Sequence, residues 1–334
     1  MQRPSLALPK LTIVIVTLNN ERSLNECLTR IQEQDYPKDR IECLNVDGGS
    51  TDKTVEIMKL YGFTSIRSPI PRNAEAQRAV GLNMATHNLI VSLDADNYLP
   101  DTLWLRHMVQ PFMDDPTIVH AGTLHYTYRK SDTAFNRYCA LFGVVDPVVF
   151  YMGKADRMPQ YVRRWPNPHI TKRHPTYTVV RFTKENLPTV GCNGVVYRRD
   201  LLIKHAMSTP KDFIHIDVFV DLILKGYDKF ALVHTGVIHD TAIDLTTLMK
   251  KRMLFLKYYN RNRSVNRRYY VFDPRNALDR IKLALFILYT VTFVRPLYDS
   301  VRGFIAVPDI AWFLHPVMCW VYLLAYARAS IQRV

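Results

Sequence analysis

The chain has 334 residues, 48% of them hydrophobic and 22% charged, with a formal net charge of +14. This length and balance exclude a disordered chain and fit one large domain with an appendage. The positive excess predicts an anionic partner: nucleotide phosphates, nucleic acid or an acidic membrane surface. The five cysteines, Cys27, Cys43, Cys139, Cys192 and Cys319, show no CxxC or zinc spacing, which argues against a disulfide framework or structural zinc and predicts a reducing compartment.

The first apolar run, Leu11–Leu18, follows Lys10 and is strand-length, so no secretory signal is expected. Leu11–Val16 is apolar or β-branched throughout, the pattern of a central parallel strand. A polar turn, Thr17–Asn20, leads into a helix over Glu21–Gln34, with Leu24, Cys27, Leu28 and Ile31 on one face. Ile41–Val46 is a second strand. The glycine-rich turn Asp47–Asp52 follows, with Ser50 or Asp52 placed to cap a helix through Leu60. Ser65–Arg67 reads as a short strand, Asn73–Ala85 as a helix and Leu89–Leu93 as the next strand. Alternating strands and helices predict an open, mostly parallel α/β sheet, whose ligands bind beyond the strand C-termini. The turns at Thr17–Asn19, Asp47–Asp52 and Asp94–Asp96 all fall at that edge.

Periodicity weakens over 129–188, which reads as an irregular insertion, basic and proline-rich between Arg157 and His174. Order returns at Val190–Arg199. A helix over Ile216–Lys225 ends at Gly226, a left-handed cap, and Lys229–Val233 is a strand leading towards His239. A basic stretch follows, with Lys250, Lys251, Arg252, Lys257, Arg261, Arg263, Arg267, Arg268, Arg275 and Arg280 set against Asp273 and Asp279. Two interrupted apolar runs close the sequence, Leu283–Val294 and Ile310–Ala327.

Asp94-Ala95-Asp96 places two carboxylates one residue apart at the end of a buried strand, on one side if the segment is extended. They repel unless positive charge sits beside them, and a divalent cation carrying a phosphate ligand answers that need.

In this order the motifs resemble family 2 glycosyltransferases of the GT-A fold, over roughly Leu11–Leu256. Thr17-Leu18-Asn19-Asn20-Glu21 resembles the first-strand Thr-Tyr-Asn-x-Glu motif, with Leu18 where Tyr is usual. Asp47–Asp52 resembles Asp-Asp/Gly-Gly-Ser-x-Asp, Arg78-Ala79-Val80-Gly81 resembles Arg-Asn-x-Gly, and Asp94-Ala95-Asp96 matches the metal motif. The resemblance implies that Thr17, Asn19 and Glu21 border a base and ribose pocket and that Asp47 accepts from a uracil imide N–H. It implies that Arg78 neutralises phosphate or holds the acidic cluster, and that Asp94 and Asp96 hold Mg2+ or Mn2+ on the diphosphate. Gly191-Cys192-Asn193-Gly194 resembles the family's Gly-x-Asn segment, so Gly191 and Asn193 are expected at the donor sugar. In His215-Ile216-Asp217 the family's Glu is missing before Asp217. Asp217 is the first choice for general base and Asp221, one turn on, the second. His239 stands near the spacing of a family metal-binding histidine.

The implied reaction is metal-dependent, inverting sugar transfer from a nucleotide sugar, UDP favoured, in a single displacement. The implied division is a catalytic domain over 1–256, with a donor half over 11–128, the insertion, and an acceptor half over 189–256. A basic, hydrophobic helical region over 257–334 would follow. Cationic residues beside interrupted apolar helices predict attachment to an anionic membrane surface at its cytoplasmic face, monotopic in preference to two spans, and hence a lipid-linked acceptor. The insertion Arg157–Arg173 would meet the lipid phosphate. Gln160-Tyr161-Val162-Arg163-Arg164-Trp165 resembles the Gln-x-x-Arg-Trp motif of processive synthases but has one residue too many. A sugar-1-phosphate nucleotidyltransferase is the alternative, but the glycine-rich loop it requires after Val16 is missing. Nucleic-acid binding rests on charge alone, does not explain the carboxylates and is not expected.

Overall fold

The computed structural model describes residues 7–163, 165, 169–241, 245–250, 252, 253 and 267–331. In chain order its elements are β1 (Leu11–Thr17), α1 (Glu21–Gln32), β2 (Ile41–Asp47), α2 (Thr54–Leu60), β3 (Thr64–Arg67), α3 (Ala74–Met84), β4 (Leu89–Asp94), β5 (Asn97–Tyr98), α4 (Trp104–Asp114), β6 (His120–Tyr126), α5 (Ala134–Phe142), α6 (Pro147–Tyr151), β7 (Ile170–Arg173), β8 (Tyr177–Arg181), β9 (Val195–Arg198), α7 (Arg199–His205), α8 (Asp217–Leu224), β10 (Lys229–His239), α9 (Ala277–Thr292), α10 (Val294–Ala306) and α11 (His315–Ile331).

Two compact units divide the chain. One comprises Met1–Thr123, Asn167–Glu185 and Gly191–Val237; the other comprises Leu124–Pro166, Asn186–Val190 and Ile238–Val334. The first unit is built on a mixed sheet in the order β3-β2-β1-β4-β9-β6-β10-β8-β7, with β5 paired to β10. The expected parallel block is present: β1 lies between β2 and β4, and β3 extends β2, all parallel. Every residue of β1 is buried, as its unbroken apolar run requires of a strand covered on both faces. Beyond β4 the strands turn antiparallel. In the register, Thr17 stands opposite Asp47 and Val16 opposite Asp94, so three strands end at one level. Helix α3 lies against β1 through Gly81, where a Cβ would come 2.3 Å from Val14 Cγ1.

The stretch expected to be irregular, 129–188, contains α5, α6 and the β7–β8 hairpin. Its elements are short and broken by prolines, so no window holds enough repeats to show a period. Strand β10 also runs six residues past its predicted end, to His239.

The second unit is helical. Phe135, Tyr138, Phe142, Phe286, Trp312, Met318 and Tyr322 belong to its core. His315 is fully buried there, its ring stacked on Phe142 at 3.9 Å and hydrogen-bonded to Tyr138 and Tyr151 at 3.1 and 2.9 Å. Phe293, at φ +61°, separates α9 from α10, so the first C-terminal apolar run, Leu283–Val294, fills the end of α9 and stops at a helix break. Arg157, expected on a basic surface, is 2% exposed; its guanidinium lies 4.4 Å over the Tyr126 ring and 2.7 Å from Asp156. The Gln160 amide donates to the Tyr126 carbonyl at 2.7 Å, a structural use of that near-motif. Lys251, Lys257, Arg261, Arg263 and Arg164 lie outside the described residues.

Candidate active site

The shared level at which β1, β2 and β4 end makes the C-terminal edge of the parallel block, and a cleft of about 230 Å3 opens there. Thr17, Gln77, Arg78, Asp94 and Asp96 are among its lining residues. Only Asp94 is still in the strand; Ala95 and Asp96 form a turn into β5. Asn97, fully buried, shapes that turn, accepting from the Asp94 N–H at 3.0 Å and donating to Asp96 Oδ1 at 3.4 Å. The two carboxylates therefore face one cleft through a bend, not through the extended geometry expected from their spacing.

Arg78, 6% exposed on α3, supplies the positive charge that the carboxylates require. Its Nη2 lies 2.5 Å from Asp94 Oδ1 and its Nη1 4.0 Å from Glu75 Oε1. Burial works against the guanidinium's charge, but Asp94 and Glu75 outweigh it and hold the group protonated, above its ordinary range. Glu75 in turn accepts from the His215 N–H at 2.8 Å and contacts His215 Nδ1 at 2.7 Å. A chain of ion pairs and hydrogen bonds thus links Asp94, Arg78, Glu75 and His215, from the end of β4 to the segment that opens α8.

The loops after β1 and β2 are laced together. The Asn19 N–H donates to Ser50 Oγ at 2.9 Å, and Asn19 Oδ1 accepts from the Thr51 N–H at 2.8 Å. The Glu21 N–H donates to Asp52 at 3.2 Å while the Glu21 carboxylate accepts from the Lys53 N–H at 3.1 Å, so each loop caps the other's helix. The N-cap of α2 is Lys53, not Ser50 or Asp52 as expected, although Asp52, one residue before it, accepts from the Thr54 N–H at 3.0 Å. Asp47 is held within its own turn. It accepts from the Gly49 and Ser50 N–H groups at 2.8 and 2.9 Å and from Ser50 Oγ at 2.5 Å. Thr17 Oγ1, with one proton to give, lies nearer to Asn45 Oδ1, at 2.9 Å, than to Asp47, at 3.3 Å. Three bonds leave the carboxylate an acceptor site for a ring N–H. Gln77, which sequence reasoning passed over, donates at 2.7 Å to the carbonyls of both Thr17 and Val46 and ties β1 to β2 at the cleft floor.

Gly194, at φ +66°, donates its N–H to the Ser92 carbonyl at 3.1 Å, which sets the Gly191–Asn193 loop beside the end of β4. Gly191, Cys192, Arg78 and His215 border one small cavity. Burial pushes the Cys192 thiol well up, so it stands as a neutral group. Asp217, the expected base, has no exposed surface. Asp221 accepts from the Met207 N–H at 3.2 Å. His239 belongs to the second unit, where its ring stacks on Tyr126 at 5.3 Å and Nδ1 lies 3.3 Å from Thr241 Oγ1. Among the described residues no group of three or more His, Cys, Asp or Glu gathers to hold a metal ion.

Burial alone would raise the Glu75 pKa, but His215 and Arg78 overcome it and hold the carboxyl down at about 2. A pKa depressed on folding adds stability that is complete above the unfolded value, about 4.3, and is lost as pH falls through the folded one. Glu75→Gln is therefore expected to lower the unfolding free energy by about 1.5–3 kcal/mol at pH 7. In urea titrations this gap should narrow steadily from pH 5 towards pH 2; a gap independent of pH would contradict the ionised assignment.

Residues 12–205 match the glycosyl transferase family 2 profile. This covers more than half of the chain, which therefore belongs to that family. Among curated relatives, the glycosyltransferase AglE of Haloferax volcanii is 28% identical over 136 residues, 39% of this chain and 44% of that protein. A Methanococcus voltae dolichyl N-acetyl-alpha-D-glucosaminyl phosphate 3-beta-D-2,3-diacetamido-2,3-dideoxy-beta-D-glucuronosyltransferase is 45% identical over 124 residues, 34% of this chain and 38% of that protein. The matches thus span less than half the length of these relatives. The mannosyltransferase PcManGT of Pyrobaculum calidifontis, solved with GDP-Man and Mn2+, has the same fold: TM-score 0.54 at 15% identity, covering 99% of this chain and 91% of that one.

Proposed function

We propose that this chain transfers the sugar of a nucleotide sugar, a UDP-sugar by preference, to a hydroxyl of a lipid-linked acceptor, with inversion at the anomeric carbon. The observation that carries the reading is the pair Asp94 and Asp96 with Arg78 at a cleft on the C-terminal edge of a parallel block, where open α/β sheets bind ligands. The side chains fit a cation: Mg2+ and Mn2+ take oxygen ligands and are held by one or two carboxylates plus substrate phosphates. Asp94 and Asp96 would hold it, and when bound it would offset the charge of the departing diphosphate. Thr17 lines the cleft, and Asn19, Glu21 and Asp47 fix the loops on which the nucleoside would rest. Gly191 and Asn193 would border the sugar.

The Methanococcus relative, whose name specifies a dolichyl-linked substrate, supports a lipid-linked acceptor here. The Pyrobaculum structure, with GDP-Man and Mn2+, keeps a guanine donor in the test. Full-length protein should transfer label from one member of a UDP- and GDP-sugar panel to octyl β-D-glucoside, and EDTA should stop the transfer. Equal rates with and without EDTA would remove the cation, and no transfer from any donor would remove the reading.

The second unit supports membrane attachment. One segment, Ile310–Ile331, is long and apolar enough to cross a membrane. Outward apolar side chains also run along α9–α11, among them Ile281 at 57% exposed, Val294 at 70%, Ile305 at 77% and Ile310 at 74%. A soluble surface seldom keeps so many large apolar groups in water. With Arg275 and Arg280 beside them, they fit a monotopic seat on the cytoplasmic face of an anionic leaflet. Flotation should recover the protein with phosphatidylserine vesicles and far less with phosphatidylcholine alone. Val294→Glu with Ile305→Glu should lower the membrane partition constant about a thousandfold, since each loses roughly 2 kcal/mol of apolar burial and adds a negative charge. Unchanged flotation of that pair would count against the seat.

A further inference from the structure

Glycosyl transfer to a hydroxyl needs a group that takes the hydroxyl proton, and that group must come within about 2.6–3.2 Å of the acceptor oxygen. The first of the expected carboxylates is closed off from an acceptor, and the second already holds a backbone N–H. Asp217 is fully enclosed at the start of α8, and Asp221 is bonded to the Met207 N–H. His215, two residues before Asp217, is placed differently. Its side chain is 21% exposed, and the two oxygens of Glu75 hold both its backbone N–H and its Nδ1. The pair of anchors fixes the ring in position and rotation. An acceptor at Nδ1 sets the tautomer that carries the proton there and leaves Nε2 as the nitrogen with a lone pair, the logic of a histidine oriented by a carboxylate. Nε2 has no hydrogen-bond partner among the described residues. The ring borders the same small cavity as Gly191 and Cys192, and Arg78, a wall of that cavity, is also a wall of the cleft that holds Asp94 and Asp96. Further into α8, Phe219 packs on Phe230 and Tyr197 with ring centroids 5.9 Å apart in each case, which seats the helix on the sheet.

We propose that His215, oriented by Glu75, is the general base of the transfer. The inference rests on the glycosyltransferase reading and deepens it. The Nε2 lone pair takes the acceptor hydroxyl proton, and the acceptor oxygen forms its bond to the anomeric carbon. The bond from that carbon to the diphosphate oxygen breaks, its electron pair leaving with the nucleoside diphosphate. The imidazolium then gives its proton to bulk water. Glu75 is a positioning residue that holds the ring through its backbone N–H and Nδ1. The other titratable groups facing the ring are Arg78 on α3, Cys192 before β9 and Tyr197 on β9, with Asp217 following on α8 itself.

The test is steady-state kinetics on the full-length protein, using the nucleotide sugar that wild type turns over and octyl β-D-glucoside as acceptor. His215→Asn keeps an N–H for Glu75 and removes only the basic nitrogen. Its kcat should fall about 10^2–10^4-fold with donor KM within about twofold, and the acid limb of the kcat/KM profile should disappear. In His215→Ala, added imidazole should restore part of kcat. Glu75→Gln should lower kcat while leaving donor KM within about twofold, a split that a merely structural carboxylate would not produce. Thermal melts and UDP binding report whether each variant is folded. Full kcat in His215→Asn, a loss confined to KM, or a larger kcat loss in folded Asp217→Asn would each overturn the proposal. A wild type that transfers to no hydroxyl would instead overturn the underlying reading.

Discussion

Asp96→Asn is expected to lower sugar transfer by about 10^2–10^3-fold while leaving the melting temperature within a few degrees of wild type. The magnitude follows from removing one fixed charge from a site where charge develops in the transition state. Stability should change little because Asp96 stands in a half-buried turn whose shape is set by Asn97, and Asn97 keeps its bond to the Asp94 N–H in the variant. Raising Mn2+ should recover part of the loss, because asparagine retains one oxygen ligand. Labelled-sugar transfer across a metal titration measures both effects. Wild-type turnover in Asp96→Asn at every metal concentration would detach this residue from the chemistry.

Arg78→Met should have the opposite balance, with a large loss of stability. The substitution leaves the half-buried Asp94 and buried Glu75 without their common cation, and breaking a buried ion pair from one side costs about 3–5 kcal/mol. Adding Asp94→Asn should return part of that loss, so the double variant is less damaged than the sum of the singles. Arg78→Lys should recover less than its charge suggests, since an ammonium is a point charge and cannot reach both carboxylates as a guanidinium does. Urea unfolding of the four proteins decides the matter. Strict additivity would mean that Arg78 and Asp94 do not act as a pair.

Much of the first unit was legible in the residues. Leu11–Val16 and Leu89–Leu93 are continuous apolar runs, and such runs form the buried centre of a parallel sheet wherever helices cover both faces. The helix face of Leu24, Cys27, Leu28 and Ile31 is the buried face of α1. Less could be read between 129 and 188, where α5 and α6 are short and the β7–β8 hairpin carries a register shift that breaks the alternation of inward and outward side chains. The capping exchange between Glu21 and Asp52 was hidden for another reason: both are ordinary first-turn acids, and only the fold shows that each serves the other's helix.

The same divide runs through the site. The Glu75–Arg78 spacing of three residues on one helix is visible in the sequence, and so is the motif around Asp94. That Arg78 reaches Asp94, that Glu75 clasps His215 from 140 residues away, and that Asp217 is sealed from solvent are not. By itself the sequence determined the alternation of strand and helix, the family, and the edge at which the carboxylates stand, because these follow from local periodicity and short motifs. Only the tertiary structure decided which charges neutralise one another and which proton acceptor is exposed. Pairing and burial depend on groups brought together from distant parts of the chain, and no local pattern records those distances.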